Sequence, residues 1–266
     1  MRSDREVPRL DAARPGLAGL VTEPPADFAA RVLRRAGVPR ERYDTYVRLG
    51  TAAGGLYVAA SPEAVTGAAL DTGGLTAPGF EELHRSRTNR SALRSAKPFP
   101  GVTTALRTGR ARRLPIDLSP LAPADRAVLE AVRAIPAGQL RPVGWIAREA
   151  AVDPAAVPGA LALNPAAVLI PCHRVTYDNG TPCDAGYLPG AGEALRAAEG
   201  IEPGRVAELR RRGVVFLGSD TTRIYCHPTC AHARRITPPH QVPFRTAREA
   251  GRAGYRACKS CRPLTA

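Results

Sequence analysis

The chain has 266 residues, which at roughly 150 per domain points to two units and a small appendage. Lys+Arg 38 against Asp+Glu 24 leaves a net charge of +14, and 36 of the 38 cations are arginine. Hydrophobic residues at 44% exclude wholesale disorder, and no window approaches the ~18 unbroken apolar residues of a membrane span.

The charge is uneven. Residues 1–113 carry 19 cations and 11 acids (+8), residues 114–212 carry 10 and 11 (−1), and residues 213–266 carry 9 and 2 (+7). Such a basic short segment points to a polyanion, nucleic acid first. The start is charged from Arg2 onward and has no apolar signal core, so a reducing, cytoplasmic setting is expected. There, six cysteines read as metal ligands or nucleophiles and not as disulfides.

In chain order, residues 1–26 read as a loose, proline-bearing arm. Asp27–Gly37 reads as a short amphipathic helix stopped by glycine, with Arg31, Arg34 and Arg35 on a solvated face. Tyr46–Ala60, turning about Gly54-Gly55, reads as a β-hairpin, and Ser61-Pro62-Glu63 as the opening of a helix. Pro98–Pro123 reads as a proline-punctuated connection. Ala124–Ile135 is an amphipathic helix, and Val143–Ala150 with Ala155–Leu163 around Asp153-Pro154 forms a helix-turn-helix candidate. Ala191–Glu199 and Pro203–Arg212 are helical, and Val214–Leu217 is a strand leading into the tail.

The tail carries Cys226-x3-Cys230 and Cys258-x2-Cys261, 27 residues apart. Two close pairs on separate turns supply the four thiolates of one tetrahedral Zn²⁺, and so small a segment needs that staple to fold. Four thiolates on zinc carry net −2, an electron-rich cluster that can attack an alkyl electrophile. The residues around it, Thr221 to Cys230 followed by Ala253-Gly254-Tyr255-Arg256-Ala257-Cys258-Lys259-Ser260-Cys261-Arg262-Pro263, resemble the zinc domain of the Ada methylation-response family over about 213–264. The resemblance implies that Cys226 accepts a methyl group from a backbone methyl phosphotriester while bound to zinc. It also implies DNA contacts by Thr222 and Arg256. A further family arginine falls on Ala233, with Arg234 adjacent as its stand-in.

Upstream, Asn164-Pro165 is followed by Val168-Leu169-Ile170-Pro171-Cys172-His173-Arg174-Val175. A cysteine beside histidine and arginine is expected to have its pKa lowered by the positive field. The string resembles the active site of O6-alkylguanine-DNA alkyltransferases, and the similarity extends loosely over about 46–212. That resemblance implies double-stranded DNA carrying alkyl lesions as the partner, held by the helix-turn-helix, with the damaged guanine flipped into a pocket. It implies Cys172 as single-use methyl acceptor, His173 as base through a water, Glu199 orienting His173, Asn164 bracing the turn, and Arg174 among the DNA-contacting residues. This chain departs from the family at Val143 and Ala155, where a tyrosine and an arginine stand, at Pro158 in the second helix, and in the segment after Gly180.

The expected fold class is α+β, with a small N-terminal α/β subdomain (46–113) after the arm and helix of 1–45. A helical alkyltransferase subdomain (114–212) and a zinc-stapled domain (213–266) follow, the whole acting as a monomer. Two functions remain open. One is a suicidal repair methyltransferase with acceptors Cys172 and Cys226; the other is an alkylation sensor with an impaired base pocket and a methylation-switched zinc module. A zinc-stapled DNA-binding protein with vestigial motifs is a third, smaller possibility.

Overall fold

A computed structural model describes residues 24–264, so most of the expected arm lies outside the described residues. Helix α1 (Phe28–Arg35) matches the first amphipathic segment, and no residue in it is buried. A four-stranded sheet follows, in the order β3-β2-β1-β4. Strands β1 (Asp44–Thr51) and β2 (Gly54–Ala60) form the expected hairpin, closing at Ala52-Ala53 because Thr51 pairs with Gly54.

Ser61-Pro62-Glu63 does not open a helix. The Ser61 hydroxyl accepts from the amides of Glu63 and Ala64, both at 3.1 Å, and the turn returns directly into β3 (Val65–Leu70). Serine before proline serves turns as readily as helix starts. Helix α2 (Ala77–Thr88) then covers the outer face of the sheet, where Phe80 stacks on Tyr57 at 5.1 Å. Strand β4 (Ala92–Arg94) returns parallel to β1. Asp44 is fully buried at this edge and ties three elements together. It pairs with His84 at 2.8 Å and accepts from Thr66 and Arg90, which hold its carboxyl at about 2 against the opposing effect of burial.

The other face of the sheet shares one core with the helices that follow, from Leu56 and Val58 through Leu129, Ile146 and Leu161 to Cys172. The expected connection at 98–123 contains helix α3 (Val102–Thr108), which puts Val102 and Ala105 into that core. Helices α4 (Pro123–Arg133), α5 (Val143–Ala150) and α6 (Val157–Ala162) bury apolar faces as their periodicity predicts. Asp153 caps the turn between α5 and α6 by accepting from the Ala155 amide at 2.7 Å. Pro158 lies in the first turn of α6, where its missing N–H costs nothing and no kink results.

Immediately before α5, strand β5 (Arg141–Pro142) pairs in parallel with β6 (Val175–Thr176), Arg141 beside Val175. Helices α7 (Ala191–Ala198) and α8 (Pro203–Arg211) lead to a second sheet, ordered β10-β8-β7-β9. Its strands are β7 (Phe216–Ser219, two residues later than expected), β8 (Ile224–Cys226), β9 (Gln241–Phe244) and β10 (Arg256–Ala257), with α9 (Ala247–Arg252) beneath. Phe244 and Tyr255 close over Gly218, where a Cβ would come within 2.6 Å of the Phe244 ring. This module sits against α5: Trp145 Nε1 donates to the carbonyls of Cys261 and Arg262 at 3.1 and 3.0 Å. The whole is α+β, and no helix among the described residues is long and apolar enough to cross a membrane.

Candidate metal centre and thiol sites

The four tail cysteines converge because of how β8 and β10 pair. Cys226 ends β8, and the next turn brings Cys230 back, its amide donating to the His227 carbonyl at 2.9 Å. Ala257 lies beside Tyr225, so the Cys258 amide donates to the Tyr225 carbonyl at 3.0 Å and Cys261 follows on a tight turn. All four sulfurs lie within 4.8 Å of one another and all four residues are buried. Tetrahedral zinc with sulfurs at about 2.3 Å sets them about 3.8 Å apart, so the donor set fits with a small contraction. Backbone N–H groups of His232 and Ala233 aim at the Cys230 sulfur, and that of His227 at Cys261, the surroundings a thiolate needs. Crowding by Cys230 and Cys261 pushes the Cys226 thiol up, and a divalent cation is what lets all four ionise together.

Cys226 forms the floor of a groove of about 530 Å³. Thr222, Arg235, Arg256 and Lys259 stand around it, all exposed, with His232 on the same rim. Thr222 and Arg256 are therefore brought beside the metal centre. Arg234 is not: its guanidinium lies against Gly138, away from the groove, and Arg235 takes the place on the rim.

The second thiol is built by the turn between α6 and β6. Asn164 Oδ1 accepts from the Ala166 amide at 2.9 Å, and its Nδ2 donates to the Ile170 carbonyl at 3.0 Å and to Cys172 Sγ at 3.2 Å. Val168 is held at φ +69°, a strained backbone for a β-branched residue and of the kind that clusters at working sites. Cys172 is fully buried, and burial pushes its thiol up to about 12, with Asn164 pulling the other way. The expected lowering does not occur in this conformation, because Arg174 points elsewhere.

Arg174 is 3% exposed. It donates through Nε to Glu199 at 2.9 Å, through Nη1 to the Ile135 carbonyl at 2.7 Å and through Nη2 to the Gly109 carbonyl at 2.8 Å. It is thus a buried structural clamp in this structure. Glu199 also meets His173 Nε2 at 3.1 Å. Burial opposes its charge, but hydrogen bonds from His173 and Arg174 bring the carboxyl down to about 2. His173 Nδ1 lies 3.4 Å from the Tyr187 hydroxyl, which also meets the Val168 amide at 3.4 Å.

Sequence reasoning missed the fastening of this pocket segment. Arg196, 3% exposed, grips the Asp184 carboxylate through both Nη atoms at 2.6 and 2.9 Å and reaches the His173 carbonyl at 3.2 Å. Gly192 leaves the space: a Cβ there would overlap the Asp184 carboxylate. Arg-to-Asp pairing twelve residues apart across a loop has no spacing signal.

Against known families, residues 123–201 match the model described as 6-O-methylguanine DNA methyltransferase, DNA binding domain. Residues 208–263 match the metal binding domain of Ada. Each segment is similar to the family whose model it matches. The chain is 38% identical over 92 residues (34% of this chain, 58% of the relative) to a methylated-DNA--protein-cysteine methyltransferase of Saccharolobus islandicus. A DNA base-flipping protein of Thermus thermophilus is 39% identical over 67 residues, 25% of this chain and 46% of the relative. The chain thus spans about half the length of each curated relative it matches. Among solved structures, the Mycobacterium tuberculosis protein OGT in complex with DNA aligns with a TM-score of 0.42 at 24% identity, covering 63% of this chain and 93% of that one. An O6-methylguanine-DNA methyltransferase from Pyrococcus kodakaraensis gives 0.45 at 20%, covering 59% and 99%. The Ada-type segment holds the four cysteines and the groove, and the methyltransferase segment holds Cys172, His173, Arg174 and Glu199.

Proposed function

We propose that the protein is a single-use DNA-repair methyltransferase acting as a monomer on double-stranded DNA carrying alkyl lesions, with two acceptor thiols. The observation that carries this reading is Cys226, a member of a four-sulfur metal site, at the floor of a groove rimmed by Arg235, Arg256 and Lys259. A DNA backbone phosphate is anionic, and cations over an apolar floor draw it to the sulfur. A methyl phosphotriester has one neutral phosphate among charged neighbours, so the rim grips the flanking phosphates while the methyl group faces Sγ. Cys226, Cys230, Cys258 and Cys261 would hold one zinc ion, whose positive charge would let Cys226 stay anionic at neutral pH. In the transfer the Sγ–CH3 bond forms as the O–CH3 bond breaks. The phosphate leaves as the ordinary phosphodiester anion, and the sulfur becomes a neutral thioether that nothing regenerates.

Cys172 is the second acceptor in this reading, for the methyl group of O6-methylguanine. The base is flipped out of the stack and Sγ displaces its O6. Sulfur loses its proton through a water to His173, which Glu199 orients, and the guanine anion takes one up, so protons balance. One observation favours the sensor reading at this thiol alone: Cys172 is 0% exposed and its thiol is pushed up to about 12, so the resting pocket is shut. Transfer there requires the segment carrying Tyr187 to open.

The test is to incubate the protein with duplexes carrying methyl phosphotriesters or O6-methylguanine, digest it, and weigh the cysteine peptides. Gain of one methylene on the Cys226 peptide, faster than on the Cys172 peptide, is the expected result. Binding without any mass gain leaves the sensor as the function.

A further inference from the structure

The Ada-type module and the methyltransferase segment meet over a surface crowded with cations. Arg141, in β5, is 2% exposed. Its Nη1 donates to the Leu140 carbonyl and its Nη2 to Gln139 Oε1, both at 2.7 Å, and both acceptors are neutral. Its Nε has no partner among the described residues, and neither has Arg210 Nε or the ring Nε2 of His227, all three buried. Arg148 spans the Arg262 carbonyl at 2.6 Å and that of Pro263 at 3.3 Å, but its charge is met by Glu149 at 2.8 Å, which also pairs with Arg262, so Arg141 is the guanidinium of this contact left to neutral acceptors. Among the described residues no carboxylate pairs with Arg141. Burial works against its charge, and the sulfurs of Cys261, Cys230, Cys258 and Cys226 across the contact work in its favour.

A guanidinium does not shed its proton to escape burial, so a buried one requires an anion. Four thiolates on a divalent cation are a net −2, and they stand on the other side of this interface. The contact is also wired to both partners. The Arg141 Cζ lies 5.5 Å from the Trp145 ring, whose Nε1 donates to the Cys261 carbonyl, and Thr229 Oγ1 accepts from the Leu140 amide at 2.8 Å. On its other side Arg141 pairs with Val175, three residues beyond Cys172.

We infer that the metal–thiolate centre is the counter-ion of buried Arg141, and that this charge pair holds the zinc module on helix α5, so that losing one thiolate charge at Cys226 loosens the dock. The inference rests on the four cysteines binding a metal as thiolates, and not on methyl transfer. It gives the centre a surface of its own chain as partner: discharging Cys226 uncovers the α5 face beside the base-repair site.

Trp145 is the chain's one tryptophan and lies at this contact, so its emission and its quenching by acrylamide report docking without any assay of activity. The experiment uses the full-length zinc-loaded protein, Cys226→Ser, Arg141→Met, Arg141→Lys and the Cys226→Ser/Arg141→Met pair, with zinc counted in each. Cys226→Ser with its zinc retained should red-shift Trp145 and raise the undocked fraction on the order of tenfold. Arg141→Lys should keep that response to Cys226→Ser, and Arg141→Met should abolish it. If Cys226→Ser loses its zinc, Arg141→Met decides alone: it should release zinc to a chelator on the order of tenfold faster than the native chain and than Arg141→Lys. An unmoved Trp145 in zinc-loaded Cys226→Ser, an equal shift in both Arg141 backgrounds, or unchanged zinc release overturns the inference. Native protein without stoichiometric zinc overturns the metal reading itself, and the two failures are told apart by the metal count.

Discussion

The side-chain amide of Asn164 donates to Cys172 Sγ at 3.2 Å while its own carbonyl oxygen closes the turn on the Ala166 amide at 2.9 Å. One side chain therefore shapes the loop and favours the thiolate. Asn164→Ala should slow alkylation of Cys172 by roughly tenfold to a hundredfold, the worth of one hydrogen bond to a charged acceptor. Asn164→Asp should slow it further, by placing a carboxylate beside the developing thiolate. Both are read from the rate of thioether formation on the Cys172 peptide, with labelling at Cys226 as the internal standard. Equal slowing at both cysteines would mean general unfolding.

Free thiol chemistry at Cys172 should be strongly alkaline. With the thiol pushed up to about 12 by burial, iodoacetamide should label it slowly at neutral pH and about tenfold faster per pH unit through pH 9–11. A thiol whose folded pKa lies above its unfolded value adds stability that is complete below the unfolded value. That contribution fades as pH rises towards 12. Chemical denaturation at pH 8 and pH 11, in the native chain and in Cys172→Ala, should show the larger loss in the native chain.

Glu199 should matter to the fold before it matters to chemistry. Its carboxyl is lowered to about 2 because His173 and Arg174 outweigh burial, so its contribution is present above the ordinary carboxylate value and is lost as pH falls towards 2. Glu199→Gln should cost about 3 kcal/mol, the scale of breaking a buried ion pair. Urea unfolding at pH 7 measures it, and the difference from the native chain should shrink below pH 4.

Arg256 and Arg174 should separate cleanly. Arg256→Ala should weaken binding to non-specific duplex and lower the salt slope by about one. Arg174→Lys should leave that slope unchanged and lower the unfolding midpoint instead, since its guanidinium clamps Glu199 and two carbonyls. Fluorescence anisotropy from 50 to 300 mM salt distinguishes them.

Legibility followed the kind of physics each element uses. The helices at 123–133, 143–150 and 191–198 bury one face, so their apolar period is visible. Strand β3 was hidden behind a Ser-Pro turn, and it is apolar at five of its six positions because both faces of the sheet are covered. Helices at 77–88 and 102–108 went unread because few of their residues are buried: Phe80 and His84 in the first, Val102 and Ala105 in the second. At the sites, the four metal cysteines announce themselves by local pairs, as do Cys172 and His173 by adjacency. Arg174 and Arg234 lie away from the groove beside Cys226, and sequence proximity does not reveal it: the Arg174 guanidinium is taken by Glu199, and that of Arg234 lies against Gly138.

The Asp184–Arg196 clasp and the bare backbone of Gly192 beneath it have an evolutionary reading. Restoring any side chain at 192 evicts the carboxylate, and evicting the carboxylate strands a buried guanidinium, so no single substitution among the three positions is neutral. Descendants of this chain should keep all three letters or exchange them as a set, and a variant library randomised at 184, 192 and 196 should yield functional clones in correlated blocks.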